Sequence, residues 1–298
     1  MNKISVYGST GFIGSRFIDL YPDETIKIDR NQSISETNNI LYLISTVDNY
    51  NIHTDLQIDI DTNLKVFMKV LEANKGKDIT INFISSWFVY GQNYEMPFNE
   101  KTTVCNPTGF YSITKYCAEQ MLICFCNTFN IKYRILRLAN VIGEGDKKIS
   151  RKKNALQFLI KEIVNNRNVH LYYNGEVIRD YIYIDDACRA IKMCIDTAPT
   201  NTVINIGSGT PSKFLNIIET AIELTNSTSL IINIEPSTFH NIVQVRHSYL
   251  DISKLKSYGF KLEYSMDNII NKLITFYTTE KNKYANQKAE NSYFSAIA

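Results

Sequence analysis

Three glycines at even spacing, directly after an N-terminal apolar run, constrain this chain most. Ile4-Ser5-Val6-Tyr7 leads into Gly8-Ser9-Thr10-Gly11-Phe12-Ile13-Gly14 and then an amphipathic stretch. That order reads as strand, tight turn and helix start. Gly8 allows the turn, Gly11 lets backbone approach a pyrophosphate, and Gly14 lets the helix pack closely on the strand with its N-terminus facing the anion. A bland flexible turn is the alternative reading, and the spacing differs by one residue from the commoner dinucleotide fingerprint. Short β-rich runs then alternate with helical patterns: strands are expected near 3–7, 25–29, 40–45, 79–85 and 132–138, helices near 12–20, 61–75 and 109–129. This is the pattern of a parallel sheet covered by helices.

The second strand ends at Asp29, where an acidic side chain can accept hydrogen bonds from both adenosine ribose hydroxyls. That favours NAD. Arg30 beside it would accommodate a 2′-phosphate, so NADP stays open, and a solvated Asp-Arg pair is the structural alternative. Only ten residues separate Asp29 from the next run, Ile40-Leu41-Tyr42-Leu43-Ile44-Ser45, and they are rich in Asn and Ser. A helix and a further strand do not fit there. Farther along lie a polar helical segment (150–167), a strand and helix around 181–195, the strand Thr202-Val203-Ile204-Asn205-Ile206, and a tail of helices and short strands.

Composition excludes more than it selects. A chain of 298 residues with 44% hydrophobic and 21% charged residues can bury a large core, and a net charge of +2 offers no field for nucleic acid or a membrane surface. No apolar run approaches a membrane span. Cys105, Cys117, Cys124, Cys126, Cys188 and Cys194 show no paired metal spacing and accompany no signal peptide, so reduced thiols in a cytoplasmic protein are expected. His53, His170, His240 and His247 are scattered, which argues against a metal site.

The chemistry points to Tyr111 and Lys115, four residues apart and so one turn apart on a helix. A neighbouring ammonium stabilises phenolate, drawing the tyrosine toward a working pH at which it can exchange a proton with a carbonyl or alcohol. Alone, such a pair is most often a surface feature. An upstream hydroxyl changes that: Ser86 lies in Phe83-Ile84-Ser85-Ser86-Trp87-Phe88-Val89-Tyr90-Gly91.

Glycine loop, serine and Tyr-Lys pair, in this order, resemble the extended short-chain dehydrogenase/reductase family of nucleotide-sugar epimerases, dehydratases and reductases. The resemblance covers roughly residues 2 to 280. It includes Asn63, Arg137-Leu138-Ala139-Asn140-Val141-Ile142-Gly143, Arg179-Asp180-Tyr181-Ile182-Tyr183-Ile184-Asp185-Asp186, Asn205-Ile206-Gly207-Ser208-Gly209, and Asp251-Ile252-Ser253-Lys254 before Gly259-Phe260. The implied fold is an α/β Rossmann-type doubly wound parallel sheet, one strand short on the adenosine side, with a smaller C-terminal α/β substrate lobe. Residues 1–145 plus about 180–206 would form the NAD(P)-binding domain, and about 146–179 and 207–280 the substrate-binding lobe. Residues 281–298, polar and without periodicity, are expected to lack regular structure.

The resemblance implies roles position by position. Ser86, Tyr111 and Lys115 are the catalytic candidates, with Tyr111 as acid/base and Ser86 as hydroxyl donor to the same oxygen. Gly8, Thr10, Gly11, Phe12, Ile13, Gly14, Asp29, Arg30, Tyr111 and Lys115 are the cofactor candidates. Ser86, Trp87, Asn140, Arg179 and Arg246 are the candidates for substrate contact, with Tyr249 and His247 as further candidates to line the nucleotide pocket. The structural alternatives are a strand-end cap for Ser86, a turn role for Asn140 and an ion pair with Asp180 for Arg179. Family dehydratases and decarboxylating relatives place acidic groups just after the serine, where this chain has Trp87 and Phe88. Elimination is therefore disfavoured. What remains is hydride transfer at a sugar carbon, most simply C4, as an epimerase using NAD in polysaccharide biosynthesis, or as a 4-keto nucleotide-sugar reductase. A non-catalytic NAD-binding regulatory protein is the reading from another class. The resemblance also implies a homodimer formed through the helices following Asp61-Thr62-Asn63 and Pro107-Thr108-Gly109, which carry Val66, Phe67, Val70, Leu71, Met121, Leu122 and Phe125, although helical apolar spacing more often marks core than interface.

Overall fold

The computed structural model describes residues 3–93, 95–147, 149–150 and 153–297, with side chains through Lys283. The chain opens with β1 (Ile4–Tyr7), α1 (Phe12–Leu20), β2 (Thr25–Ile28) and β3 (Asn39–Tyr42). A helical run follows: α2 (Ile58–Ile60), a π-helical turn (Asp61–Lys65) and α3 (Val66–Ala73). It leads to β4 (Thr80–Ser86), α4 (Phe110–Phe129) and β5 (Lys132–Leu138). Next come β6 (Asn140–Ile142), α5 (Ala155–Val164), β7 (Val169–Tyr172), β8 (Ile178–Arg179), β9 (Tyr181–Tyr183), α6 (Ile184–Thr197) and β10 (Thr202–Ile206). The remainder is β11 (Ser212–Lys213), α7 (Phe214–Thr225), β12 (Ile231–Ile234), α8 (Thr238–Val243), α9 (Ser253–Ser257) and α10 (Met266–Ile297).

Six strands form one all-parallel sheet in the order β10-β5-β4-β3-β1-β2. Both faces are covered, which is why the strands read as near-continuous apolar runs. Phe67, Val70, Leu71 and Leu122 of α3 and α4 pack on one face, and Phe17, Ala187, Ile191 and Cys194 of α1 and α6 on the other. Short two-stranded pairings, β7 with β12, β8 with β11 and β6 with β9, build the remainder. Among the described residues no helix is long and apolar enough to cross a membrane.

The sheet ends at β2, as the short Asp29-to-Ile40 interval requires. Residues 29–38 instead return along one face as a strap held by side chains. Tyr7 Oη and Asn74 Nδ2 donate to the Ser33 carbonyl at 2.9 and 2.8 Å, Ser35 N–H donates to Asn74 Oδ1 at 2.9 Å, and Ser5 N–H donates to Thr37 Oγ1 at 3.0 Å. The side chains of Tyr7 and Asn74 thus satisfy backbone groups of the strap, and Thr37 of the strap satisfies one of β1.

One expectation changes. Residues 281–297 continue α10 rather than lacking regular structure; Ala298 lies outside the described residues. Ile269, Ile270, Leu273 and Tyr277 bury the first turns of the helix, and the Lys, Ala, Gln and Glu that follow are good helix formers that propagate a nucleated helix. Phe67, Val70, Leu71 and Leu122 are core residues, as helical apolar spacing more often implies.

Helix α4 begins where Ser112 Oγ accepts the Gly109 N–H and ends at Asn130, whose φ of 52° closes it in the left-handed region. A buried ion pair fixes it to the sheet. Arg137 Nε and Nη2 of β5 donate to the two carboxylate oxygens of Glu119 at 3.0 and 2.6 Å, and both side chains are almost fully buried. Removing one partner leaves a buried uncompensated charge. Arg137→Met should lower stability by about 3–5 kcal/mol, and the double change Arg137→Met, Glu119→Gln by clearly less. Urea unfolding checks this; equal losses for the two variants would show that the pair does not act as a charge pair.

Candidate active site

The glycine loop, the ends of the parallel strands and the C-terminal elements enclose one cleft of about 1380 Å³, lined by every catalytic and cofactor candidate and by Trp87, Asn140, Arg179 and Arg246. That volume exceeds what one small ligand needs. At one end Gly8, with φ of +84°, turns β1 into α1, and Gly11 N–H closes the turn on the Gly8 carbonyl at 3.0 Å. A Cβ on Gly14 would lie 2.2 Å from that carbonyl oxygen, so only glycine fits. The α1 N-terminus has no side-chain cap and no acidic residue in its first turn. Its free N–H groups and the positive end of its dipole suit a pyrophosphate. Asp29 and Arg30 stand exposed beside it at the end of β2.

In the middle, Ser86 ends β4 and caps the following turn, its Oγ accepting the Phe88 N–H at 3.3 Å. The cap leaves its hydrogen free. Tyr111 sits in the first turn of α4 with its ring edge against Phe88, 6.1 Å between centroids. Burial pushes its phenol up to about 12; the Ser86 hydroxyl and, less strongly, the Ser45 hydroxyl oppose that shift, and the Asp59 carboxylate adds to it. Lys115 donates from Nζ to the Ile84 carbonyl at 2.6 Å and lies 4.2 Å from the Phe83 ring centroid. Burial lowers its ammonium to about 7 against the pull of Glu119. The expected depression of the tyrosine by this lysine is therefore not met: the ammonium is engaged by a carbonyl, and burial drives both groups toward their neutral forms.

At the other end Trp87 stacks on Phe88 with 4.0 Å between centroids, and the Arg179 guanidinium lies 5.4 Å from the Trp87 ring. Arg179 Nη1 donates to the Ile178 and Arg246 carbonyls at 2.9 and 2.8 Å, and no carboxylate among the described residues pairs with it. Burial lowers it to about 10. Asp180 is not its partner; that carboxylate accepts from Ser208 N–H, Ser208 Oγ, Gly209 N–H and Leu250 N–H at 2.6–3.2 Å. Asn140 spends its amide N–H on the Asp180 carbonyl at 2.9 Å, and Arg246 stacks 4.9 Å from the Tyr173 ring. His247 accepts the Ile178 N–H at 3.3 Å, and neither it nor Tyr249 lines the cleft.

Several lining residues escaped sequence reasoning: Ser45, Tyr50, Tyr172, Tyr173 and His240. Tyr50 Oη meets His240 Nδ1 at 2.6 Å, and burial lowers that imidazole to about 4. Ser45 could have been found, because ligands gather beyond the carboxyl ends of parallel strands. The cleft also presents buried polar atoms, Ser85 Oγ and Asn49 Oδ1, that have no hydrogen-bond partner among the described residues. With the Gly8–Gly14 contact and the bare helix N-terminus, these residues fit a dinucleotide.

The model of the NAD dependent epimerase/dehydratase family matches residues 35–207. Protein CapI of Staphylococcus aureus is 24% identical over 92% of this chain and 98% of its own length. A putative UDP-glucose 4-epimerase of Methanocaldococcus jannaschii is 26% identical over 73% of this chain and 70% of its own. The crystal structure of a UDP-glucuronic acid 4-epimerase from Bacillus cereus, in complex with UDP-glucuronic acid and NAD, superposes with a TM-score of 0.82 at 20% identity. It covers 93% of this chain and 99% of that one. That likeness shows the fold.

Lys115 makes the site pH-sensitive in a defined direction. Its folded pKa of about 7 lies below the ordinary lysine value, so the unfolded chain binds a proton that the folded chain does not between about pH 10 and 7. Wild-type stability therefore falls as pH falls through that window. The Tm of Lys115→Met minus that of wild type should shrink as pH rises from about 7 to about 10; a difference independent of pH in thermal scans would refute the depressed ammonium.

Proposed function

The chain belongs to the NAD dependent epimerase/dehydratase family, and from that premise we propose that it is an NAD-dependent 4-epimerase of a nucleotide-linked sugar. One observation carries the reading. A single cleft holds an anion-ready helix N-terminus at one end, Ser86 with Tyr111 in the middle, and at the other the half-buried guanidinium of Arg179, with no carboxylate of the described residues on it. Bound NAD supplies the hydride acceptor and donor. Gly8, Thr10, Gly11, Phe12, Ile13 and Gly14 hold its pyrophosphate, Asp29 its adenosine ribose, and Lys115 the nicotinamide side. Tyr111 exchanges a proton with the C4 oxygen, and Ser86, whose hydrogen is free, donates to that same oxygen. Arg179 and Arg246 receive the diphosphate through their forked N–H groups. Trp87 and Phe88 carry no transferable proton, so the sugar is not driven into elimination. The similarity to UDP-sugar 4-epimerases supports C4 and a uridine diphosphate carrier.

A reductase of 4-keto nucleotide sugars is the second reading, favoured by one fact: burial keeps Tyr111 as the phenol, the form from which a proton passes to a ketone. Turnover without net consumption of cofactor supports the epimerase, and stoichiometric oxidation of a reduced cofactor supports the reductase. In the homodimer that accompanies either reading, the contact uses Ile60, Met68 and Ile113, which are 40%, 42% and 46% exposed on the helices outside the core. Sedimentation at low micromolar concentration tests it, and a monomer there overturns it.

Tyr111→Phe should reduce kcat by about 10²–10⁴-fold with nucleotide-sugar affinity retained. Near-normal turnover would remove Tyr111 from the mechanism. Asp29→Ala should weaken NAD more than NADP in a direct binding titration, and a wild-type preference for NADP would overturn the role given to Asp29.

A further inference from the structure

Val177, Arg179 and Tyr181 line the cleft, and Ile178, Asp180 and Ile182 do not. This period of two is that of extended chain, here β8 and β9 with Asp180 between them. Asp180 turns the other way, onto the N–H groups of Ser208, Gly209 and Leu250. Arg179 and Tyr181 therefore stand on one face, and Asn140, in register with Tyr181 on β6, lines the cleft beside them.

A buried phenol normally finds a partner for its hydrogen. Here Tyr7 donates to the Ser33 carbonyl, Tyr90 to Asn205 Oδ1 and Tyr183 to Glu144. Tyr181 is only 6% exposed, yet its hydroxyl has no hydrogen-bond partner among the described residues. Nor is it sealed away as Tyr42 Oη is; the accessible part of the side chain opens into the cleft. A partner must come from whatever fills that space. Burial pushes the phenol up and Arg179 opposes that only in part, so the hydroxyl keeps its hydrogen at neutral pH. An O–H donor beside a guanidinium that no carboxylate of the described residues neutralises suits an anionic oxygen: the phenol donates to it and the guanidinium balances its charge. A sugar hydroxyl would accept from the phenol and leave the cation unbalanced.

We propose that Tyr181 is a further substrate-binding residue, whose O–H donates to an oxygen of the nucleotide-sugar diphosphate beside Arg179. This role rests on the nucleotide-sugar reading above and adds a neutral donor to its two arginines. A neutral donor tightens the grip on the diphosphate without the desolvation cost of a third cation in the cleft. No proton moves and no covalent bond changes in this contact.

The full-length wild type and Tyr181→Phe are titrated with UDP by calorimetry, with NAD as a second probe, and both proteins are melted without ligand. Phenylalanine keeps the ring and the strand pairing and removes the hydroxyl alone. UDP should bind Tyr181→Phe about tenfold more weakly, the effect of one hydrogen bond to a charged acceptor. NAD should bind both proteins equally, and the ligand-free variant should melt no lower than wild type, because no hydrogen bond within the protein is lost. Equal UDP affinity in the two proteins overturns the proposal, and so does an equal loss of NAD affinity. A lower ligand-free Tm also overturns it, since the hydroxyl would then have a partner within the fold. Absence of UDP binding by the wild type would overturn the nucleotide-sugar reading and this role with it, which separates that failure from the others.

Discussion

The position of α4 depends on a charge pair that water does not reach. Arg137 and Glu119 meet through two parallel hydrogen bonds, and the guanidinium also lies 4.7 Å from the Tyr90 ring centroid. Tyr90 in turn donates to Asn205 Oδ1 at 2.7 Å, and Asn205 Nδ2 donates to the Phe98 carbonyl at 2.8 Å. One polar cluster thus ties α4 to β5, to the turn after β4 and to β10. Such pairs contribute specificity more readily than net stability, because the desolvation of both charges offsets most of their attraction. Here the specificity is positional: Tyr111 and Lys115 ride on the helix that this pair clamps.

Electrostatically the cleft is graded. The α1 N-terminus, with no acidic residue in its first turn, and Arg179, with no carboxylate of the described residues paired to it, are cation-like ends, and between them burial suppresses charge on both Tyr111 and Lys115. A ligand that carries anionic phosphates and an uncharged reacting carbon matches that grading. The half-buried guanidinium spends Nη1 on two backbone carbonyls, which leaves several of its N–H donors for such a ligand.

Local chemistry was legible in the sequence wherever it was contiguous. The glycine loop, the Tyr111–Lys115 turn, the strand run to Ser86 and the loss of one strand beside β2 all follow from spacing within short windows. Relations across long separations were not legible. Asn74 anchors the strap from a residue 41 positions from Ser33, and Tyr50 meets His240 across 190 positions. The apolar spacing of α3 and α4 more often marks core than interface, and Phe67 and Leu122 are core. Lys115 has the expected place and a different electrostatic effect, since the carbonyl of Ile84 that captures it is set by the end of β4 and leaves no mark in the spacing.

The strap that replaces a helix and a strand leaves β2 as an outer edge with one row of backbone N–H and C=O groups unpaired. Such an edge is a template on which another chain can add a strand. This one is blunted. It is four residues long, carries the exposed Lys27 within it, and runs straight into Asp29 and Arg30. Charges read first as cofactor chemistry therefore also guard the sheet against growing sideways into aggregates, and substitutions there would act on solubility as well as on ribose recognition.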